Sequence, residues 1–236
     1  MKKKKPEQGT SASIIPDLYL GRDDERFTGS SEDEHHVNEG IYTMTSSVKP
    51  FGAGRSSFEF VDTDLVLHAL ALTPSTVFVD LGCGKGNYTL AVASTLQSQG
   101  RVYGIDAWQE GLDELRERAA RLSLKNIITI QANLNEHIPI EDGTADICFM
   151  ATVLHDLLRD STGNKALSEI ARVLKPTGRI GIIEFKKIED GPGPPLKVRL
   201  SPEETEQIIS PFGFVKDRLT DLGPFHYLIT ASFAKK

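Results

Sequence analysis

From residue 62 onward, apolar positions switch repeatedly between a strand-like and a helix-like spacing. Val77-Phe78-Val79-Asp80 reads as a short apolar strand, and Arg101–Asp106, Ile127–Gln131, Asp146–Val153 and Arg179–Phe185 as four more. The fourth run is almost continuously apolar, as in a strand buried on both faces. Helical spacing fills the gaps. Leu65, Leu67, Ala69, Leu70 and Leu72 predict a short helix over 62–72, ended by Thr73 and Pro74. Asn87 to Gln97 predicts a helix with almost no exposed face. Leu112, Leu115, Ala119 and Leu122 predict a helix over 109–122. Leu167, Ile170, Val173 and Leu174 predict another over 165–174, broken by Lys175-Pro176-Thr177-Gly178.

Strands alternating with helices imply right-handed crossovers and a parallel, doubly wound sheet. The end of the chain differs. Ser201-Pro202-Glu203-Glu204 combines an N-cap, a proline at the first helical position and a capping-box glutamate. The helix that it opens ends near Gly213, and two strand-like runs follow, 214–220 and 226–234. The short Asp221-Leu222-Gly223-Pro224 connection makes them an antiparallel hairpin. Residues 1–57 lack periodicity and read as a partly ordered N-terminal arm, with a single α/β domain over 58–236.

Composition adds boundaries rather than detail. The 236 residues are 39% hydrophobic and 25% charged, ordinary for a soluble domain. No apolar run approaches the roughly 20 residues of a membrane span. Lys2 to Lys5 are not followed by the apolar stretch of a secretory signal. With two cysteines, Cys83 and Cys148, both inside core-like patterns, a reducing, cytoplasmic location is expected. The net charge of −6, with no basic stripe beyond the lysine tail, argues against nucleic acid as a partner.

The densest signal is Val79-Asp80-Leu81-Gly82-Cys83-Gly84-Lys85-Gly86-Asn87. A buried strand runs into three alternate glycines and then a helix. In an open parallel sheet, ligands bind beyond the carboxyl ends of the strands. Glycines there let the backbone turn sharply and let a ligand lie on the main chain. Asp106 ends the next strand, where a carboxylate can accept from the ribose hydroxyls of an adenosyl group.

Asp80-Leu81-Gly82-Cys83-Gly84-Lys85-Gly86 resembles the first motif of class I methyltransferases, which use S-adenosylmethionine. With Asp106, the fourth strand, Ala171-Arg172-Val173-Leu174-Lys175-Pro176-Thr177-Gly178 and the hairpin, the chain from about 60 to 234 is similar to the branch containing ubiquinone and menaquinone biosynthesis methyltransferases. The resemblance implies a Rossmann-like seven-stranded sheet of order 3-2-1-4-5-7-6, with strand 7 antiparallel. It implies that Asp80, Gly82, Gly84 and Gly86 surround the methionine part and the sugar edge. Asp106 would hold the ribose with Ala107 beside the adenine. Asn133, where the family often has aspartate, would meet the adenine amino group, followed by Leu134. Ala151 and Thr152 would face the amino-acid tail. The partner is then a small-molecule methyl acceptor.

Transfer from a sulfonium is an in-line displacement, so positioning matters most, with base help only for an acceptor that must lose a proton. His155, just past the fourth strand, is the candidate base; capping a loop or touching the cofactor are its other readings. Glu184 and Lys186 share that rim, as acceptor contacts or as a surface ion pair. No Asn/Asp-Pro-Pro-aromatic motif follows strand four, where Ala151-Thr152-Val153-Leu154-His155 stands instead, and no cysteine is placed as a nucleophile. Glu32-Asp33-Glu34-His35-His36 reads as a solvated loop rather than a metal site. Gly191-Pro192-Gly193-Pro194-Pro195 is a candidate rim loop, and Phe51 to Phe60 a candidate lid. A nucleotide-dependent oxidoreductase is the first rival, although its G-x-G-x-x-G needs two residues where only Lys85 separates Gly84 from Gly86. A non-catalytic cofactor-binding scaffold or regulator is the second, and aminopropyl transfer the third.

Overall fold

Seven strands form one sheet in the order β3-β2-β1-β4-β5-β7-β6. The computed structural model describes residues 54–96, 98–159, 163–189 and 191–235. The lysine tail, Glu32–His36, Phe51 and most of the expected arm lie outside them. The strands are β1 (Val77–Leu81), β2 (Arg101–Asp106), β3 (Ile127–Gln131), β4 (Ala145–Ala151), β5 (Leu174–Phe185), β6 (Phe214–Asp221) and β7 (His226–Phe233). The first five pair in parallel, and β7 runs antiparallel between β5 and β6. This is the order and polarity expected from the sequence.

Among the described residues six α-helices cover the sheet: α1 (Thr63–Leu70), α2 (Asn87–Leu96), α3 (Gln109–Arg121), α4 (Leu154–Arg159), α5 (Gly163–Val173) and α6 (Pro202–Ile209). Side chains alternate across the strands, so the central strands feed two cores. Val79, Leu81, Cys148, Met150, Ile180 and Ile182 face Leu154, Leu167, Ile170 and Ile209 of α4, α5 and α6. Phe78, Val102, Ile147, Phe149 and Leu228 face α1 and α2. The doubly buried β4 and the all-buried α2, where Tyr88 to Ala93 are inaccessible, explain their unbroken apolar sequences.

Three boundaries differ from expectation. α1 stops at Leu70 because Ala71 turns left-handed, with φ 50°. β4 ends at Ala151, where Thr152 adopts φ 58°, and a short helix, not extended chain, carries His155. β5 begins at Leu174, ahead of the expected break at 175–178. Its pairing with β4 shifts register between Ala145 and Ile147. Lys175 holds that irregular segment by donating to Asp146, at 2.7 Å. The expected capping box on α6 is present: Glu204 N donates to Ser201 Oγ at 3.2 Å and Ser201 N to Glu204 Oε2 at 2.7 Å.

Arg172, on the last turn of α5, ties the chain before β4. It donates to Glu169, Asp142 and the carbonyls of Ile138 and Ile140. The Arg172 guanidinium is the main cause holding the Glu169 carboxyl at about 2.

Phe149 is fully buried between Phe78 and Tyr88, with ring centroids at 5.6 and 5.1 Å. Phe149→Ala should lose about 3–5 kcal/mol of stability in urea titration. A loss below about 1 kcal/mol would contradict this placement of the core.

Candidate cofactor site

The loop leaving β1 takes left-handed backbone at each of its three glycines: φ is 73° at Gly82, 55° at Gly84 and 75° at Gly86. Their surroundings separate their roles. A Cβ on Gly82 would meet Val153 Cγ2 at 2.7 Å, and one on Gly86 would strike the Leu115 side chain. Those two glycines are needed for close packing against the segment after β4 and against α3. A Cβ on Gly84 would meet nothing within 4 Å. There the main chain is bare toward open space, as a ligand lying on the backbone requires.

Asp106, at the end of β2, holds the loop in this shape. Gly84 N donates to its Oδ2 at 2.7 Å and Trp108 N to its Oδ1 at 2.8 Å. A carboxylate offers about four acceptor positions, so each oxygen retains one for a ligand hydroxyl. Gly82 N and Cys83 N both donate to Ile105 O, at 2.8 and 3.1 Å. Arg118 of α3 braces the far side of the loop through Lys85 O and Asn87 Oδ1.

Asp80 lies beneath the loop, 2% exposed, and accepts from Thr89 Oγ1 at 2.6 Å. Burial raises its carboxyl to about 7, opposed by the Thr89 hydrogen bond and reinforced by the charge of Asp106. Asp80, Gly82, Gly84, Tyr88 and Ala151 line a cavity of about 50 Å³, together with Gly54, Arg55 and Ser56. Cys83 is packing: burial, then Asp80 and Asp106, push its thiol well above the ordinary range. A larger concavity of about 930 Å³ lies among Ser75, Arg101 and Lys125, at the amino ends of the strands. That is the opposite end of the sheet from the glycine loop.

The remaining expected residues fall around the same edge. Ala107 and Asn133 are exposed. The loop after β3 is drawn toward β2 by Ala132 N donating to Asp106 O at 3.0 Å and Gln131 Nε2 to Ala107 O at 3.3 Å. Asn133 Oδ1 accepts from Asn135 N. Leu134 is 8% exposed and packs in the core. Ala151 borders the cavity, and Thr152 donates its hydroxyl to Ala151 O at 2.7 Å. Of the expected lid, Phe58 is buried edge-on to Tyr88, and Ser57 Oγ lies 3.0 Å from Tyr88 Oη.

Glu184 is not a surface residue and does not pair with Lys186. It is fully buried, with Oε2 at 2.8 Å from His155 Nδ1 and Oε1 accepting from His155 N at 3.1 Å. Lys186 pairs with Asp221 instead. His155 is 6% exposed, and its Nε2 lies 3.7 Å from Asp156 Oδ2. Burial disfavours the imidazolium, but the hydrogen bond and charge of Glu184 outweigh it, and the pKa rises above 6.5. Sequence reasoning missed this pair's burial and also Thr89, Trp108 and Arg199. Arg199 is 4% exposed and donates to the carbonyls of Lys186, Ile188, Pro192 and Pro194, shaping the expected rim loop. A lone arginine after a Gly-Pro run was the available signal.

Residues 78–178 match the family described as a methyltransferase domain. A demethylmenaquinone methyltransferase of Symbiobacterium thermophilum is 33% identical over 114 residues, 48% of this chain and 44% of the relative. A ubiquinone/menaquinone biosynthesis C-methyltransferase of Geotalea daltonii is 29% identical over 144 residues, 61% of this chain and 58% of the relative. The chain thus spans about half the length of these curated relatives. A SAM dependent methyltransferase from Aquifex aeolicus, solved by crystallography, superimposes with a TM-score of 0.69 at 31% identity. That match covers 75% of this chain and 93% of that one.

The Asp80 carboxyl is held at about 7 against an ordinary 3.8. Between those values the folded protein keeps a proton that the unfolded chain has released, so stability falls as pH rises through the window. Asp80→Asn keeps the Thr89 hydrogen bond and removes the titration. Its stability relative to the parent should increase by about 2–4 kcal/mol between pH 4 and pH 8. Parallel stability curves in chemical denaturation would contradict the assignment.

Proposed function

The chain belongs to the class I S-adenosylmethionine-dependent methyltransferases, and from that premise we propose that it methylates a small aromatic acceptor of the quinone kind. The single observation that carries the cofactor's place is Gly84, whose bare backbone opens beside Asp106. The relatives named for menaquinone and ubiquinone synthesis support the acceptor class. The net charge of −6 disfavours a polyanionic partner. Among the described residues no helix is long and apolar enough to cross a membrane.

Asp80, Gly82, Gly84 and Gly86 would border the methionine end of the cofactor. Asp106 and Ala107 would take the ribose and the adenine edge, Asn133 and Leu134 the adenine, and Ala151 and Thr152 the amino-acid tail. When bound, S-adenosylmethionine supplies a methyl group already activated on a sulfonium centre. The chain's own residues then orient the acceptor and exclude water. His155 serves as proton acceptor for a hydroxyl that must ionise. Glu184 fixes the Nδ1 proton, which leaves the Nε2 lone pair as the basic site. Its raised pKa makes it a stronger base but leaves more of it protonated at neutral pH.

The test is transfer of labelled methyl from S-adenosylmethionine to a demethylmenaquinol-type acceptor. Turnover should rise with pH above 6.5 as His155 loses its proton. His155→Gln keeps a donor toward Glu184, which avoids an unpaired buried charge. It should cut turnover by roughly 10² to 10⁴ while cofactor affinity, read by calorimetry, stays within a few-fold. Parallel losses of both would make His155 a cofactor contact, and unchanged turnover would remove it from the chemistry.

A further inference from the structure

His226, the first residue of β7, is fully buried, yet neither ring nitrogen has a hydrogen-bond partner among the described residues. A buried polar group without a partner is costly, and native structures keep few of them without a functional reason. Tyr227, the next residue, has Thr205 Oγ1 and Leu200 O as partners. Among the described residues Asn135 and Thr220 each leave one buried side-chain atom without a partner, whereas His226 leaves both of its ring nitrogens so.

His226 lies at the rim where the acceptor must enter. β7 is antiparallel, so its first residue lies at the carboxyl end of β5, directly opposite Phe185. The Phe185 ring links the two histidines: it stands 5.9 Å from His155, edge-on, and 4.6 Å from His226. On the outer side, Phe60 stacks over His226 at 6.3 Å and is itself 48% exposed. Phe58, two residues before it, is anchored in the core. Phe60 can therefore turn outward without disturbing the chain that approaches the glycine loop. The charges near His226 are Arg199 and Lys186. Burial first, and then those two cations, lower its pKa to about 4, so the ring is neutral near pH 7. It offers one N–H donor and one lone pair.

We propose that His226 is a positioning residue for the acceptor, binding the oxygen of a planar ring that takes the place of Phe60 beside it when Phe60 turns outward. This rests on the methyltransferase reading and deepens it. Two strand spacings separate the ends of β4 and β7, about 10 Å. The anchored oxygen is therefore the end of the acceptor remote from the reacting atom, and the occupant is a fused or extended aromatic ring with a hydroxyl or carbonyl group at its far side. His226 takes part in no proton transfer.

The test uses the full chain saturated with S-adenosylhomocysteine and two probes of one shape, 2-naphthol and naphthalene. The parent should bind 2-naphthol at least tenfold more tightly. His226→Phe retains the apolar fill, and it should reduce that preference below threefold while leaving naphthalene affinity unchanged. A preference that survives in His226→Phe, or one absent from the parent because a buried water already satisfies the ring, would overturn the proposal. Histidine-labelled parent protein gives the same answer by NMR without a variant: a His226 ring nitrogen should shift with 2-naphthol and not with naphthalene, and no shift overturns it. Failure of S-adenosylhomocysteine to bind, read in a separate titration, would strike the methyltransferase reading and this role together. Loss of the naphthol preference alone strikes only His226.

Discussion

One carboxylate sets the geometry on which the rest of the site depends. Asp106 sits at the end of β2 and takes the backbone N–H of Gly84 on one oxygen and of Trp108 on the other. Through it, the loop after β1 and the turn into α3 are held to a common point. Gly82 and Gly86 then have no freedom left, because Val153 and Leu115 pack where their side chains would be. Gly84 alone of the three remains open. A bare backbone beside two acidic groups, Asp80 and Asp106, is matched to a ligand that brings hydroxyls and positive charge. S-adenosylmethionine carries both, whereas a pyrophosphate would meet repulsion there.

The sheet divides the labour of the two cores. One face, covered by α1 and α2, carries Phe78 and Phe149, with Tyr88 of α2 packed on Phe149. The other face, under α4, α5 and α6, carries Met150 and Ile182 against Leu154 of α4. At the carboxyl ends of β4 and β5 the apolar filling gives way to a buried ionisable pair, His155 and Glu184. Such a pair is stabilised only while both members stay in place, since losing either one leaves the other's buried polar atoms without a partner. It locks α4 onto β5 beside the expected acceptor region. Arg199 does the same for the rim loop, by filling its guanidinium donors with main-chain carbonyls.

Much of this was legible in the chain. The strands and the glycine loop followed from apolar periodicity and spacing, and Asp106 from its place at a strand end. The strand order came from resemblance rather than from pattern. α4 was not legible, because six residues from Leu154 to Arg159 are too few to establish a helical period. The extra length of β5 was hidden by Lys175-Pro176-Thr177-Gly178: Leu174 pairs with Ala145 and Arg179 with Ile147, so these four residues form an irregular excursion at the shift of register inside the strand. The burial of Glu184 depends on a histidine 29 positions away, and the unpartnered state of His226 depends on Phe60 and Phe185. Contacts between residues so distant in sequence leave no trace in local spacing. Leu134 packs its side chain into the core, which its place after Asn133 did not reveal.

The central claim is that the Gly84 backbone and the Asp106 carboxylate form a site for S-adenosylmethionine rather than for a dinucleotide. Isothermal titration of the full chain with S-adenosylmethionine, S-adenosylhomocysteine and NAD tests it most directly. The two sulfur nucleosides should bind with micromolar affinity, and NAD should give no heat beyond dilution. Binding of NAD with neither sulfur nucleoside would contradict the account.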